Sequence, residues 1–369
     1  MGDESVVIVG GGITGLSSAA ALAPDHEVTL LERDALANDT TARASGVISL
    51  PLEPFEAELI EFIQDRLHSL DDEWILSVST VPAIRLLEDE STAELGGEHL
   101  DIDELHDRFP ASFGPLDGYT GGAVFTGAYT LDPLDLAMVY KRAAEANDAT
   151  ILRDRPVEGL TIEDGSVTGV ETPLGLVEAD QVVYATGWRV TEQLAEHVTI
   201  PTRPMRWNAL VIEHELPNEL PIGSDPRHRL YWRPYGEDHL LVGGNEHLVD
   251  DPDTAEATVD PGFRTLVETH LTNLLDLDSP LNIIREDCCP TADSASPDGM
   301  AIIDTPTDGP EGLVVATGFH GRGIMLSPAT GPIVRACITG ESLPFDLDPF
   351  SLDRLEHTPA DFTYVSHWI

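Results

Sequence analysis

The stretch VVIVGGGITG, Val6 to Gly15, decides the fold. An apolar strand pattern leads directly into glycines spaced as G-x-G-x-x-G, at Gly10, Gly12 and Gly15, and a helix pattern follows. Glu32 ends the second predicted strand, about twenty residues after the glycines. In dinucleotide-binding folds, a carboxylate at this position binds a ribose 2′-hydroxyl. Bare backbone lets a pyrophosphate reach the helix N-terminus, whose N–H groups favour anions. The sequence therefore predicts a βαβ dinucleotide-binding unit.

Composition indicates a globular protein and excludes one class of partner. The 369 residues are 41% hydrophobic and 23% charged, which predicts one or two packed domains. Acidic residues number 66 against 20 basic ones, a net charge of −46. Such a surface repels phosphate backbones, so we expect no nucleic-acid partner. The acids are spread along the whole length, with Lys141 the single lysine, and this resembles proteins of extreme halophiles.

Targeting and metal signals are weak. The first strand begins at Val6, which leaves no room for a signal peptide, and no run reaches the ~18 apolar residues of a membrane span. We therefore expect a cytoplasmic protein without a transmembrane segment. The three cysteines, two of them adjacent at Cys288 and Cys289, form neither a disulfide framework nor a zinc spacing. No metal is expected.

The order of predicted elements indicates an interleaved α/β protein. Helical periodicity covers residues 53–77, 133–147 and 261–275, β-rich text covers 156–187 and 204–244, and a closing helix is predicted from Pro328. No repeat or linker separates the parts. We expect a Rossmann-type cofactor-binding domain interleaved with an antiparallel-sheet substrate domain, the first formed by residues 1–80, 148–200 and 288–369 and the second by 81–147 and 201–287.

Several segments point beyond the glycine motif to a family. They are VVIVGGGITG, ER at Glu32, TT at Thr40, SGV at Ser45, RPVEGL around Val157, VVYATGW, YWRP, SPDGMAIID and GFHGRGIMLSPATG. Together they resemble the D-amino-acid oxidase superfamily of FAD-dependent oxidoreductases, in its glycine oxidase and sarcosine oxidase branch. The resemblance runs along the whole chain. It favours FAD over NAD, bound non-covalently.

The resemblance implies a set of FAD-binding residues. At the front of the chain these are Gly10, Gly12, Ile13, Thr14, Gly15, Glu32, Arg33, Thr40, Thr41, Ser45, Gly46 and Val47. Val157 would contact the adenine, and Gly187 is a further cofactor-binding candidate. The flavin ring would be wrapped by Phe319, Gly321, Arg322, Gly323, Ile324 and Met325. N–H groups of this last loop would stabilise the negative charge of reduced flavin. The alternative is an ordinary glycine-rich helix entry with Arg322 in solvent.

Substrate chemistry also follows from the resemblance. Family members oxidise amines by transferring a hydride from the carbon beside nitrogen to flavin N5, and the imine then hydrolyses. An amino-acid carboxylate calls for a guanidinium. Tyr231 aligns with a substrate-facing tyrosine, and Arg233 would point to the same side of the strand. Tyr231 and Arg233 are the preferred catalytic candidates, followed by Arg322 and His320; a purely structural Tyr-Arg pair is the equal alternative.

The chain departs from the family at the substrate end. Asp293 stands where an arginine is expected before PDG, Gly321 takes the place of a second arginine, and Met325 replaces a carboxylate-binding lysine. Glycine and sarcosine are therefore not assigned as substrates. Leu241 lies near the position of the oxygen-activating lysine, which favours a dehydrogenase over an oxidase, with a quinone or flavoprotein as an acceptor besides oxygen.

Other interpretations stay open from the sequence alone. The substrate could be a 2-hydroxy acid, which would need the same binding site. The chain could also be a flavin-carrying subunit of a larger complex, or an NAD-linked dehydrogenase, which would bind no chromophore. A covalent flavin link through Cys288 or Cys289 is disfavoured because Thr291 occupies the aligned position. His247, in a predicted GGNEH turn, and Asp304 receive no role.

Overall fold

The computed structural model describes residues 4–49, 57–88, 97–217, 220–236, 238–254, 258–288, 293–355, 358–359 and 361–364. Its strands are β1 Ser5–Val9, β2 Glu27–Leu31, β3 Val47–Ile48, β4 Ser79–Leu87, β5 Glu98–Asp101, β6 Gly121–Thr130, β7 Thr150–Leu152, β8 Gly159–Glu163, β9 Ser166–Thr172, β10 Gly175–Glu178, β11 Gln181–Tyr184, β12 Arg203–Glu213, β13 Ile222–Asp225, β14 Leu230–Pro234, β15 His239–Leu248, β16 Asn282–Cys288, β17 Asp293–Ala295, β18 Ile302–Asp304 and β19 Leu313–Thr317. The α-helices are α1 Ile13–Leu22, α2 Ala57–Trp74, α3 Ile102–Arg108, α4 Pro133–Glu145, α5 Val190–Gln193, α6 Pro261–Leu266, α7 Thr272–Leu274 and α8 Gly323–Thr339. A π-helical turn, Val267–Leu271, joins α6 to α7.

A six-stranded sheet forms the centre of the cofactor-binding part, in the order β18-β19-β11-β1-β2-β7. All its pairs are parallel except β18 with β19. One face packs against the antiparallel sheet β10-β9-β8, through Val7 and Val9 against Val167 and Val170. Because the sheet combines strands from both ends of the chain, the predicted interleaving is confirmed.

The first and last helices pack closely on the other face. The Ser17 hydroxyl of α1 donates to the Ser327 carbonyl at 2.6 Å and accepts from the Gly331 N–H of α8 at 3.1 Å. A Cβ at Gly331 would overlap the Ser17 carbonyl oxygen. This contact brings the N-termini of α1 and α8 to the same edge of the sheet.

The predicted start of the closing helix at Pro328 was wrong. Helix α8 begins at Gly323 and contains Pro328 and Pro332 in its interior. A proline has no N–H for the carbonyl four residues before it. The Ser327 hydroxyl donates instead to that carbonyl, at Ile324, over 2.8 Å. The helix therefore begins directly after the glycine loop, about one and a half turns before Pro328. The prediction had placed Pro328 in the first turn, where proline is common.

A ten-stranded sheet forms the substrate part, in the order β16-β12-β15-β14-β13-β4-β6-β3, with β17 beside β12 and β5 beside β6. Its pairs are antiparallel, as predicted, except the parallel pair β13 with β4. Helix α4 begins at the predicted N-cap Asp132, whose carboxylate accepts from the Leu134 N–H at 2.7 Å. This helix packs against α1 in the cofactor-binding layer. The domain boundaries stay a prediction.

Within the described ranges, every helix is too short or too polar to cross a lipid bilayer. The compartment in which the protein works stays a prediction.

Candidate active site

A cavity of about 740 Å³ lies where the βαβ unit, the loop before α8 and the ten-stranded sheet meet. It is lined by most of the predicted cofactor residues, namely Gly10, Gly12, Ile13, Thr14, Glu32, Arg33, Thr40, Thr41, Ser45, Val47, Val157, Gly187, Phe319, Gly321, Arg322, Gly323, Ile324 and Met325. Tyr231 and His320 line it as well. Gly15, Gly46 and Arg233 do not. The two ends of the chain therefore contribute to one cavity.

The three glycines of the motif are required for different structural reasons. A Cβ at Gly10, whose φ is +110°, would lie 2.5 Å from the Ala185 carbonyl oxygen, and one at Gly15 would overlap the Gly10 carbonyl oxygen. These two glycines are needed for the packing of the protein itself. A Cβ at Gly12 would meet only Thr41 Oγ1, at 3.5 Å. The protein itself thus leaves room for a side chain at Gly12, in the wall of the cavity.

The acidic residue of the motif is held in place by backbone. Glu32 Oε2 accepts from the Gly11 N–H at 2.7 Å, and Oε1 accepts from the Asp34 N–H at 2.8 Å. The Thr41 hydroxyl accepts from the Ile13 N–H at 3.1 Å, and Gly12 caps α1 without any side-chain hydrogen bond. A fixed carboxylate beside an uncapped helix N-terminus suits a ribose followed by a pyrophosphate.

A buried donor in the cavity wall tests the fit of such a ligand. The Nε1–H of Trp188 is buried and has no hydrogen-bond partner among the described residues. The Arg189 guanidinium lies 4.0 Å from the centre of the Trp188 ring. An orphaned buried N–H carries a free-energy cost that a ligand acceptor would remove. Together with the glycine cradle, this fits a polar dinucleotide such as FAD.

The glycine loop before α8 is already hydrogen-bonded. The Gly318 N–H donates to Ser294 Oγ at 2.8 Å, His320 N–H to the Ser294 carbonyl at 3.0 Å, and Gly321 N–H to the Asp293 carboxylate. The N–H of Gly321 is thus engaged within the protein. The first turn of α8, Gly323 to Met325, lines the cavity and has no N-cap side-chain bond. A helix N-terminus of this kind suits an anionic ligand.

The sheet contributes a lateral row of side chains. Arg85 on β4 pairs with Ser224 on β13, which pairs with Tyr231 on β14, which pairs with Gly243 on β15. Directly paired residues share a face, and the first three line the cavity. A Cβ at Gly243 would overlap the Tyr231 ring, so this glycine makes room for the phenol. Burial raises the pKa of Tyr231, which keeps it a neutral donor.

Arg85 was missed by the sequence reasoning. It stands in VPAIRLL, a strand of otherwise apolar residues, and a single cation in such a run could have signalled a polar site. It offers a guanidinium on the sheet wall of the cavity.

Of the cations predicted from the sequence, Arg322 and His320 line the cavity and Arg233 does not. The Arg233 guanidinium donates to the Pro234 carbonyl at 3.1 Å and lies 4.8 Å from the Tyr235 ring centre, outside the cavity wall. Arg322 is buried and donates to the Gly299 carbonyl at 3.2 Å, and burial lowers its pKa to about 10. The His320 ring lies 5.0 Å from that of Tyr364.

A second charged residue, Asp293, lines the same cavity as Arg85. Asp293 is half-buried, and burial raises its pKa to about 6. Trp207 and Tyr231 also line the cavity, and their ring centres are 6.4 Å apart. A Cβ at Gly321, whose N–H donates to the Asp293 carboxylate, would be 2.7 Å from the Trp207 ring. The cavity therefore presents a cation, an anion and two aromatic side chains.

Two further positions that the sequence singled out, Asp304 and His247, lie outside the cavity wall. Asp304 Oδ2 accepts from the Ser351 hydroxyl at 2.8 Å and the Leu352 N–H at 2.7 Å, a structural role. The segment GGNEH is part of β15 and not a turn, and His247 Nδ1 lies 3.4 Å from the Asn245 carbonyl. The side chain of Cys288, and Cys289 and Thr291 entirely, lie outside the described residues, so the covalent link stays untested.

The fold and the cavity define a dinucleotide-binding oxidoreductase whose cofactor site opens onto a β-sheet. Comparison with known proteins specifies the class. The family model "DAO: FAD dependent oxidoreductase" matches residues 5–336. The chain belongs to this family of FAD-dependent oxidoreductases, and FAD is its cofactor.

Individual relatives are similar over nearly the whole chain. Glycine oxidase of Pseudomonas putida is 25% identical over 94% of this chain and 98% of its own length. Mitochondrial dimethylglycine dehydrogenase of Mus musculus is 25% identical over 92% of this chain, which spans 43% of that larger protein. The L-proline dehydrogenase of P. horikoshii superposes with a TM-score of 0.84 at 19% identity, covering 96% of this chain and 98% of that one. At that identity, the superposition shows a shared fold.

Proposed function

We propose that the protein oxidises the C–N bond of a small amino acid or secondary amine. One observation carries the proposal: Arg85 and Asp293 line the same cavity, together with Trp207 and Tyr231. A zwitterion has a carboxylate and an ammonium group, and this cavity offers the opposite charge to each. A 2-hydroxy acid would leave the carboxylate of Asp293 without a cationic partner, so the amine is favoured over that alternative.

The similar proteins support the same chemistry. Those named as glycine oxidase, dimethylglycine dehydrogenase and iminodiacetate oxidase all act on amino acids or substituted amines that carry a carboxylate. Their names differ in the electron acceptor, so the comparison supports the reaction on the substrate and not the choice of acceptor.

The residues of the chain bind and orient the substrate. FAD, held by the glycine motif, Glu32 and the first turn of α8, supplies the hydride acceptor. The planar guanidinium of Arg85 pairs with the two carboxylate oxygens of the substrate. Asp293 accepts a hydrogen bond from the amino nitrogen and takes up its excess proton. Trp207 and the neutral phenol of Tyr231 exclude water around the C–H bond that breaks.

We propose that the electron acceptor is a quinone, a flavoprotein or a dye in preference to oxygen. The single lysine of the chain, Lys141, lies on α4 and pairs with Glu145 at 2.5 Å. No lysine is thus available in the cavity to promote the reaction of reduced flavin with oxygen.

Steady-state turnover with product analysis tests the reaction. The purified protein is given a panel of small amino acids, N-alkyl amino acids and 2-hydroxy acids, once with a redox dye and once with oxygen alone. We expect dye reduction with at least one amine-bearing substrate, release of ammonia or an alkylamine in equal amount, and little hydrogen peroxide. Turnover of 2-hydroxy acids alone would overturn the proposal.

The pH dependence should report Asp293. Because its pKa is raised to about 6, the carboxylate is ionised above that pH and protonated below it. We expect kcat/KM to rise roughly tenfold per pH unit up to about pH 6 and then to level off. Deprotonation of the substrate's own ammonium group adds a separate pH dependence to the profile. In Asp293→Asn the limb near pH 6 should vanish and kcat/KM at pH 8 should fall by about 10- to 100-fold.

The exposed Asp117→Asn is the matched control for this variant and should keep the wild-type pH profile. A folded-state pKa above 3.8 means that ionisation of Asp293 destabilises the fold as pH rises from about 4 to 6. Asp293→Asn should therefore not lower the melting temperature at pH 8. An unchanged ascending limb in Asp293→Asn would remove Asp293 from the substrate site.

A further inference from the structure

Four polar side chains converge on the face of the ten-stranded sheet opposite the cavity. Asp225, the last residue of β13, has a fully buried carboxylate. His228 lies in the turn between β13 and β14, His270 in the π-helical turn, and Tyr119 in the loop before β6. None of them lines the cofactor cavity. The mechanism proposed above therefore does not use this cluster.

The four polar atoms of the cluster lie at the corners of a small tetrahedron. Asp225 Oδ2 is 2.8 Å from His228 Nδ1, 2.7 Å from His270 Nε2 and 2.7 Å from Tyr119 Oη. Tyr119 Oη is 3.2 Å and 3.4 Å from the same two nitrogens. Three donors thus share one carboxylate oxygen, whereas among the described residues Oδ1 accepts the His228 N–H alone, at 3.3 Å.

This arrangement is close to that of a zinc site. Tetrahedral Zn²⁺ binds nitrogen and oxygen at about 2.0–2.2 Å, which places neighbouring ligand atoms about 3.4 Å apart. The separations from Tyr119 Oη to the two nitrogens, 3.2 and 3.4 Å, are close to that value, and the three from Asp225 Oδ2, 2.7–2.8 Å, are shorter. A small outward movement of the side chains would place an ion at the centre, and a set of two imidazoles and two oxygens suits Zn²⁺.

The surroundings permit an ion to enter and give it a structural task. The side chains of His228 and His270 are 28% and 22% exposed, so the cluster is open to solvent on one side. Their rings stack 3.6 Å apart and both direct a nitrogen at the same oxygen. π-helical turns occur frequently at functional sites, and this one carries His270.

We propose that Asp225, His228 and His270 bind a Zn²⁺ ion, with the Tyr119 oxygen at the fourth position. The ion clamps the π-helical turn to the end of β13. Ser224, the neighbour of Asp225, lines the cofactor cavity, so the clamp stiffens the cavity wall from behind. The role is structural, and the proposal does not depend on the reaction that the cavity catalyses.

Metal retention by the FAD-loaded protein tests the site. The protein is treated with a chelator, loaded with Co²⁺ or Zn²⁺, and desalted into concentrated KCl with excess Mg²⁺, because 66 acidic residues bind cations weakly at the surface. We expect one retained equivalent, the absorption of tetrahedral Co²⁺ beyond the flavin band, and a higher melting temperature with Zn²⁺.

Variants identify the ligands. His228→Gln and His270→Gln should each weaken Zn²⁺ binding by more than the roughly 10- to 100-fold that loss of an outer-shell partner costs. His197→Gln, on a histidine outside the cluster, should bind as the wild type does. Bound FAD and circular dichroism show whether each variant is folded.

Two results would overturn the proposal: no metal retained by the wild type, or equal retention by wild type and both cluster variants. The wild-type measurement decides even where a variant fails to fold. In either case the cluster would be only a hydrogen-bonded carboxylate.

Discussion

Replacing Gly12 with valine is expected to give a folded protein that does not retain FAD. The nearest protein atom to a Cβ at this position is Thr41 Oγ1 at 3.5 Å, and the backbone is extended, with φ −76° and ψ −177°. The side chain would occupy the cavity at the N-terminus of α1, where the pyrophosphate approaches. Loss of each hydrogen bond to a charged phosphate costs about 1.5–3 kcal/mol, so we expect FAD to bind at least roughly 100-fold more weakly.

Fluorescence titration of FAD into the apoprotein measures this effect. Gly159→Ala is the matched control, since no atom lies within 4 Å of a Cβ there and FAD binding should be unchanged. Gly15→Ala should instead reduce folding stability, because its Cβ would overlap the Gly10 carbonyl oxygen. Wild-type affinity in Gly12→Val would place the pyrophosphate elsewhere.

Arg85→Met is expected to slow turnover of amino acids strongly while leaving FAD binding intact. Loss of one partner of a buried charge pair costs about 2–5 kcal/mol, which corresponds to a decrease in kcat/KM of at least roughly 30-fold. Arg85→Lys should be intermediate, because an ammonium group cannot pair with both carboxylate oxygens at once. Kinetics with the substrate found in the panel measure the effect.

Substrate analogues make the test of Arg85 specific. An amine that lacks the carboxylate should react equally slowly with wild type and Arg85→Met, since the arginine acts only on the carboxylate. The exposed Arg153→Met is the control for loss of a positive charge and should keep full activity. Equal losses with the amino acid and the plain amine would mean that Arg85 supports the cavity without touching the carboxylate.

The cofactor half of the molecule could be predicted because its signals are local. Gly10, Gly12 and Gly15 lie within six residues, and the carboxylate of Glu32 follows at the distance that one βαβ unit sets. The interleaved α/β fold followed from the order of the elements. The start of α8 was mispredicted because Pro328 suggested a first helical turn, whereas the Ser327 hydroxyl compensates for the missing N–H inside the helix.

The substrate half depends on contacts between distant strands. Arg85 meets Tyr231 only through the pairing of β4 with β13 and β13 with β14, and strand order in a mixed sheet is not a local property. The sequence predicted Arg233 on the same side of β14 as Tyr231. Its guanidinium instead contacts the Pro234 carbonyl and the Tyr235 ring. The expectation of no metal rested on cysteines and stays a prediction. His270 lies 42 positions after His228, so no spacing rule indicated that these two residues meet.

The central claim is that an amine-bearing substrate reduces the FAD held in this cavity. Anaerobic mixing of the yellow wild-type protein with the amino-acid panel, followed by its absorption spectrum, tests this claim most directly. The account predicts that at least one small amino acid or secondary amine bleaches the flavin band and that the same compound bleaches Arg85→Met at least roughly 30-fold more slowly. A wild-type protein that chemical reduction bleaches, but that no amine bleaches, would contradict it.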